Sequence, residues 1–309
     1  METRSIGSLK VSLVGLGCNN FGKRLDAAAT SAVVDAALEA GINFLDTADI
    51  YGDTKSEEFL GTALAGRRHR VVLATKFGMR VDDRRQGARP AYVRQAAEDS
   101  LRRLATDHID LYQLHQPDAS TPIADTLAAL DELVKSGKVR EIGCSNFSAA
   151  QLQEAQAAVR AGAARFVSVQ NEYSLVHREP DREVLAECER QGLAFLPFFP
   201  LASGLLTGKY RPGAPPPPAN ARLAAGPSAT RFLSARNRAI AEALGDFAAA
   251  HGHTLLELAI SWLAGRAAVA SVIAGATSAE QVRTNVAAAG WHLSAEELAE
   301  VDRIAPVEA

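Results

Sequence analysis

The alternation of apolar and polar positions divides the chain into short apolar runs separated by amphipathic segments. Residues 11–17 (VSLVGLG) read as a first strand, followed by a glycine-punctuated turn through residues 18–22. Apolar positions at helical spacing over residues 29–40 stop at Gly41, and a second strand then runs to Asp46. A helix over residues 56–65 stops at Gly66, glycine being a common helix-ending residue. Residues 71–75 (VVLAT) form a β-branched run that delivers Lys76, and Pro90 opens a helix to about residue 105. Residues 109–114 (IDLYQL) form the fourth strand, which delivers His115.

The same unit recurs. Strands over residues 139–143, 166–169 and 193–197 end at Cys144, Ser145 and Asn146, at Gln170 and Asn171, and at Phe198. Helices alternate with them over residues 121–136, from Ser148 onward, and over 181–191. The rhythm breaks at residues 202–234, a long connection whose four prolines at 215–218 predict an extended, semi-rigid segment. Helical patterns at 235–250 and 254–264, an eighth strand at 269–273 and helices at 278–289 and 294–304 complete the chain. Eight strands alternating with helices, with no dividing linker, predict an α/β fold: a single (β/α)8 TIM barrel over residues 1–309. It carries extra helices near the C-terminus and a long loop after strand seven. A doubly wound sheet would need a third glycine after Gly15 and Gly17, and Cys18, Asn19 and Asn20 stand there instead.

Composition narrows the class. A hydrophobic content of 47% supports a large core, and a net charge of −3 disfavours a general nucleic-acid binder. No apolar stretch reaches membrane-span length, and the N-terminus lacks the apolar core of a signal peptide. Three cysteines, Cys18, Cys144 and Cys188, are too few and too scattered for a disulfide framework or a thiolate metal site. His251 and His253 read as a helix-connecting turn. The expectation is a reduced, cytoplasmic, soluble protein, with no metal, no nucleic acid and no membrane partner. The choice between monomer and homo-oligomer stays open.

In a barrel of this kind the C-terminal strand ends share one rim, where the active site lies. Here that rim presents Asp46, Lys76, His115, Ser145, Asn146, Gln170 and Phe198, with Tyr51 just beyond strand two. A tyrosine of ordinary pKa near 10 is a weak acid. A neighbouring Lys76 ammonium would lower that value, and Asp46 would hold the lysine charged and oriented. His115 can hydrogen-bond a substrate oxygen. Such a set suits protonation of an oxygen that gains charge as a carbonyl accepts hydride. No side chain delivers hydride, so a nicotinamide cofactor is implied.

Asp46 with Tyr51 and Gly52, Lys76 and the run QLH ending at His115 resemble the catalytic tetrad of the aldo-keto reductases. The likeness spans almost the whole chain, through GCSNF at 143–147, Gln170 and Asn171, PLASGLLTGKY at 200–210 and GATSAEQ at 275–281. It is strongest to the branch containing bacterial reductases and the β subunits of voltage-gated potassium channels. The resemblance implies Tyr51 as general acid and base, with Asp46, Lys76 and His115 as its partners. It implies Ser145, Asn146 and Gln170 on the nicotinamide carboxamide and Phe198 stacked on the ring. Phe199, Pro200, Leu201, Ser203 and Lys209 would follow the pyrophosphate, and Gly275, Thr277, Gln281 and Asn285 the adenosine end. The helix at 278–289 would offer its N-terminal amides to phosphate. Cys18 stands at a cofactor position where many relatives have threonine.

The cofactor expected is NADPH (NADP+), with NADH possible. The basic residue many members carry near Thr277 or Gln281 is absent, and Arg222 is its expected substitute on the 2′-phosphate. The expected activity is reversible reduction of a small-molecule aldehyde or ketone. A cofactor-sensing regulatory subunit with very slow turnover is the alternative. The short segment after Ile304 predicts no long C-terminal specificity loop, and hence an open site with broad carbonyl preference.

Overall fold

The computed structural model describes residues 1–211, 222–224 and 226–307. A hairpin comes first: β1 (Thr3–Ile6) and β2 (Leu9–Ser12), joined at Gly7, whose φ of 55° a glycine adopts without strain. Then follow β3 (Val14–Gly17), α1 (Ala27–Glu39), β4 (Phe44–Asp46), α2 (Lys55–Ala63), β5 (Val72–Phe77), α3 (Pro90–Arg103) and β6 (Ile109–Leu114). The alternation continues with α4 (Ile123–Lys135), β7 (Val139–Ser145), α5 (Ala149–Ala157), β8 (Phe166–Glu172), α6 (Val184–Gln191) and β9 (Ala194–Phe198). Helices α7 (Pro227–Phe232), α8 (Ala235–Ala250) and α9 (Leu255–Ala264) precede β10 (Val272–Gly275), α10 (Ala279–Ala287) and α11 (Ala295–Ile304).

Eight parallel strands, in the order β10-β3-β4-β5-β6-β7-β8-β9, form the (β/α)8 barrel. The seam between β9 and β10 is bridged at Phe195 and Val269, where Phe195 N–H donates to Ala268 at 2.7 Å and Ala270 N–H to Phe195 at 3.1 Å. Parallel strands with both faces covered are apolar throughout. β6 accordingly is buried at every position, Asp110 and Gln113 included.

The hairpin departs from the single first strand expected over residues 11–17. Leu13 and Val14 are adjacent and shift the apolar alternation by one residue there, a break that a continuous apolar run conceals. In the fold the chain turns at Leu13: Ser12 N–H donates to Asn43 Oδ1 at 2.6 Å, and Ser12 Oγ donates to the Val14 carbonyl at 2.8 Å. Ile6, Leu9 and Val11 pack on Phe44, Ala74 and Leu111, so the hairpin closes the barrel end opposite the strand C-termini. The long connection also differs. It contains a 3₁₀ segment (Ala202–Thr207) and α7, which begins with Pro227 at its first turn. The proline run at 215–218 lies outside the described residues. The eighth strand is Val272–Gly275 rather than 269–273, with Val269 making only the seam bridge. Among the described residues no helix is long and apolar enough to cross a membrane.

Candidate active site

Asp46 ends β4, Lys76 lies in β5 and His115 follows β6, so neighbouring strands bring them together. Lys76 is fully buried and donates to Asp46 Oδ2 at 2.6 Å and to the Thr47 carbonyl at 2.9 Å. Its ammonium lies 5.2 Å from the centre of the Tyr51 ring, and the Tyr51 and His115 rings meet edge to face at 5.8 Å. The four residues that the sequence singles out are thus assembled in one place.

Tyr51 sits on the loop between β4 and α2, and that loop is held at many points. Asp49 N–H donates to the Lys76 carbonyl at 3.1 Å, and Ser56 N–H to the Tyr51 carbonyl at 3.2 Å. The Ser56 hydroxyl donates to the Cys18 carbonyl at 3.0 Å. Gly52 follows with φ 59°, and a Cβ there would stand 2.4 Å from the Phe21 carbonyl oxygen. Only glycine satisfies both the left-handed backbone and this close approach of the β3–α1 loop.

The Lys76 charge lowers the Tyr51 pKa as the sequence predicts, but the net pKa in the fold is raised. One side of the ring opens on a cleft, while the surrounding protein desolvates the hydroxyl, and this outweighs the favourable Lys76 charge. Burial alone would lower the Lys76 pKa; the charges and hydrogen bonds of Asp46 and Tyr51 reverse this and raise it. His115 is lowered to about 3 by burial and by the Lys76 charge, so it is neutral at physiological pH. Its Nδ1 is buried without a hydrogen-bond partner among the described residues. Cys18 is fully buried with its thiol pKa raised by desolvation and by the Asp46 charge, which makes it an inert thiol.

A cleft of about 980 Å³ runs from Tyr51 and His115 across the rim to α10. Cys18, Asp46, Ser145, Asn146, Gln170, Phe198, Phe199, Pro200, Leu201, Ser203, Lys209, Arg222, Gly275, Thr277, Gln281 and Asn285 all line it. Lys76 is not on its wall and lies beneath it. Ser145 donates to the Gln170 carbonyl at 2.7 Å and accepts from Asn146 at 3.1 Å, and Asn146 also donates to the His115 carbonyl at 2.9 Å. Gln170 turns its amide nitrogen inward to Asp46 Oδ1 at 3.0 Å. Phe198 is half-buried, with an aromatic face available to the cleft. At the far end Ser278 caps α10 by accepting from Gln281 N–H, while the Gln281 side-chain oxygen accepts from Thr277 N–H at 2.9 Å.

The walls carry unusual backbone. Asn146, Phe199 and Ser203 line the cleft with φ of 61°, 51° and 57°. Left-handed conformations at non-glycine residues cost energy and gather at ligand sites. Sequence reasoning assigned no role to Arg24, to the Arg222 partners Asn19 and Asn20, or to Gln113. Arg24 lines the cleft, and its charge, with that of Arg222, depresses Lys209, although burial of Lys209 is the larger cause. Arg222 reaches across to Asn19 Oδ1 at 3.2 Å and Asn20 Oδ1 at 2.8 Å, residues that lie against Gly275. Gln113 donates to Asp46 Oδ1 at 3.1 Å from a fully buried position. A signal for Gln113 existed: it stands two residues before His115, on the same face of an alternating strand. Among the described residues no three His, Cys, Asp or Glu side chains gather as a metal site. His251 and His253 instead lie against Trp291, at 5.9 and 4.1 Å between ring centres.

Beside the site lies a second buried acid. Asp49, on the Tyr51 loop, has neither carboxylate oxygen hydrogen-bonded among the described residues, though Tyr92 faces it. Desolvation, then the Glu57 charge, raises its pKa to about 7; Arg103, which binds Glu57 at 2.6 Å, acts in the opposite direction. The folded state therefore keeps a proton that the unfolded state has lost between about pH 4 and about pH 7. This contribution to stability is full at acid pH and falls as pH rises, with a slope approaching about 1.4 kcal/mol per pH unit. Asp49→Asn is expected to flatten that part of the profile and raise Tm at pH 8, as thermal unfolding across pH would register. An unchanged profile would remove Asp49 as its source.

The profile of the Aldo/keto reductase family matches residues 13–306. The chain is similar to the uncharacterized oxidoreductase YqkF of Bacillus subtilis, 36% identical over 305 residues that cover 96% of this chain and 94% of that protein. It is 32% identical to Protein tas of Escherichia coli over 330 residues, covering 96% and 95% of the two chains. A probable voltage-gated potassium channel subunit beta of Arabidopsis thaliana is 33% identical over 306 residues, covering 93% and 91%.

Proposed function

Because the chain belongs to the Aldo/keto reductase family and is an oxidoreductase, we propose that it reduces aldehydes or ketones with NADPH, with Tyr51 as general acid. One observation carries this reading: the buried Asp46–Lys76 pair lies under Tyr51 and beside neutral His115, at the end of a cleft of dinucleotide size. We assign residues 1–309 to one catalytic domain and the protein to the cytoplasm.

The residues present fit a nicotinamide dinucleotide. Gln170 spends its amide nitrogen on Asp46, which leaves its carbonyl as an acceptor for a carboxamide N–H. Phe198 would cover the ring, Ser203 and Lys209 would hold the pyrophosphate, and Gln281 and Asn285 would meet the adenosine. The Ala279 and Glu280 amides, at the end of α10, have no carbonyl four residues earlier within the helix and suit an anion. When bound, the reduced nicotinamide supplies hydride to the carbonyl carbon.

The chain's own groups do the rest. The Tyr51 hydroxyl, kept protonated by its surroundings, donates its proton to the carbonyl oxygen as charge develops there. Neutral His115 hydrogen-bonds the same oxygen and orients the carbonyl. Lys76, kept charged by Asp46, stabilises the phenolate that Tyr51 leaves. With its pKa raised, Tyr51 holds its proton at neutral pH, which is the form that reduction requires.

The phosphate preference rests on cations. Lys209, Arg222 and Arg24 all line the cleft, against two acids among the lining residues, Glu280 and the Lys76-paired Asp46. Through Asn19 and Asn20, Arg222 stands at the Gly275 edge, where the adenosine end is proposed to lie. Arg222→Ala is expected to weaken NADPH binding by about tenfold or more and NADH by less than about threefold. Equilibrium titration of each cofactor tests this, and equal losses would remove Arg222 from the 2′-phosphate. The regulatory alternative has no observation of its own in its favour. A steady-state assay with a panel of aldehydes separates the two readings, since a regulatory subunit would bind NADPH stoichiometrically and turn over very slowly.

A further inference from the structure

We propose that Gln113 is a positioning residue of this site, holding the Asp46 carboxylate and the Gln170 amide in register with each other. The inference rests on the reading that Asp46, Lys76 and Tyr51 move the proton.

Gln113 is fully buried in β6, between Lys76 of β5 and Gly143 of β7 in the sheet register. It does not line the cleft, so it acts from beneath. Its Nε2 donates to Asp46 Oδ1 at 3.1 Å, and its own carbonyl faces Gln170 Nε2 at 3.5 Å, the outer limit of a hydrogen bond. Gln170 Nε2 also donates to Asp46 Oδ1 at 3.0 Å. Three side chains from three strands therefore close a ring, and Lys76 takes the remaining oxygen of Asp46.

The ring has a direction. Asp46 Oδ1 and the Gln113 carbonyl are both acceptors, so the Gln170 group that faces them must be its NH₂. This turns the Gln170 carbonyl to the cleft, where a nicotinamide carboxamide would need an acceptor. The same amides fill the Asp46 oxygen that Lys76 does not use. A buried carboxylate with an unfilled oxygen would be free to rotate off the ammonium or to take up a proton. Room for the glutamine comes from Gly143: a Cβ there would stand 3.3 Å from Gln113 Cγ and 2.5 Å from Ser168 Oγ.

An apolar filler at 113 would keep the packing and lose the ring. Gln113→Leu is expected to lower kcat by about ten- to a hundredfold, the range of one hydrogen bond to a charged group. The KM for benzaldehyde should change little, and the Kd for NADPH should rise about threefold. Gln113→Glu supplies a readout that a merely structural role would not move. Protonated, the introduced carboxyl donates to Asp46 Oδ1 as the amide does; ionised, it opposes Asp46 with like charge. Burial and Asp46 raise its pKa, and the Lys76 ammonium counteracts only part of this; neutral His115 and protonated Tyr51 add no charge.

The experiment measures kcat with benzaldehyde and NADPH between pH 5 and 9, NADPH binding by fluorescence, and Tm without cofactor. Wild type, Gln113→Leu, Gln113→Glu and Tyr51→Phe are compared. The expected result is a descending limb in Gln113→Glu that wild type lacks, near-wild-type kcat at its acid end, and a Tm that falls further than the wild-type Tm across the same limb. If Gln113→Leu does not fold, the Gln113→Glu profile decides alone. A Gln113→Glu profile parallel to wild type, or a folded Gln113→Leu with unchanged kcat, overturns the proposal. Full turnover in Tyr51→Phe would overturn the underlying site reading instead.

Discussion

Replacing Tyr51 by Phe is expected to lower kcat by roughly 10²- to 10⁴-fold, the usual worth of a positioned general acid, while NADPH binding stays within about twofold. The change removes only the hydroxyl. The ring keeps its edge contact with His115 and its place above the Lys76 ammonium. The hydroxyl interacts chiefly with Lys76 and Asp46, whereas the phosphates are proposed to lie with Lys209 and Arg222, so cofactor affinity is expected to follow turnover only weakly. Stopped-flow or steady-state reduction of benzaldehyde, paired with a fluorescence titration of NADPH, gives both numbers. A variant with near-normal kcat would remove Tyr51 from the proton-transfer role.

The second large effect concerns Lys76, and it joins stability to activity. Lys76 and Asp46 are both buried, with side chains 1% and 4% exposed. Removing one partner leaves the other as an uncompensated buried charge, which costs about 3–5 kcal/mol. Lys76→Met should therefore lower Tm steeply and abolish turnover. Lys76→Met combined with Asp46→Asn should recover most of the lost stability, because the Asn carbonyl still accepts from Gln113 and Gln170. Turnover should not return, since no cation remains to stabilise the Tyr51 phenolate. A double variant that is both stable and active would show that the ion pair is an element of the core alone. Thermal unfolding and kcat for the two single variants and the double variant decide between these outcomes.

Much of this architecture was legible along the chain. The eight-fold alternation of apolar runs and helical patterns identifies the barrel because each repeat carries its own signal: β-branched runs, glycine stops and serine caps. Ser148, Thr254 and Ser294 each begin a helix by accepting from the backbone three residues on. The hairpin at residues 3–12 was not legible, since only a one-residue phase shift at Leu13 and Val14 separates β2 from β3 and the turn there is held by a long-range partner, Asn43. The 3₁₀ segment and α7 were hidden for a related reason. They are short, and a few residues within a glycine- and proline-rich stretch carry no period.

The site divides in the same way. Asp46, Lys76 and His115 could be found because each ends or follows an apolar strand, and barrel topology alone then makes them neighbours. Arg24 stands in a loop with no pattern around it, and its relation to Lys209 and Arg222 exists only once residues far apart in sequence meet across the cleft. Gln113 had a local signal, its two-residue spacing from His115, but that signal does not say that Asp46 awaits it.

The sequence by itself determined which chemical groups the rim would present: an acid, a lysine, a tyrosine, a histidine, and a run of residues suited to a dinucleotide. It did so because strand and helix periods are local and strand ends fall where the apolar runs stop. Only the tertiary structure decided how those groups behave. It raises the Tyr51 pKa where the Lys76 charge alone would lower it, holds His115 neutral, and supplies Asp46 with two amides from β6 and β8. Desolvation and hydrogen-bond partners at long sequence separation are properties of packing, and no local pattern encodes them.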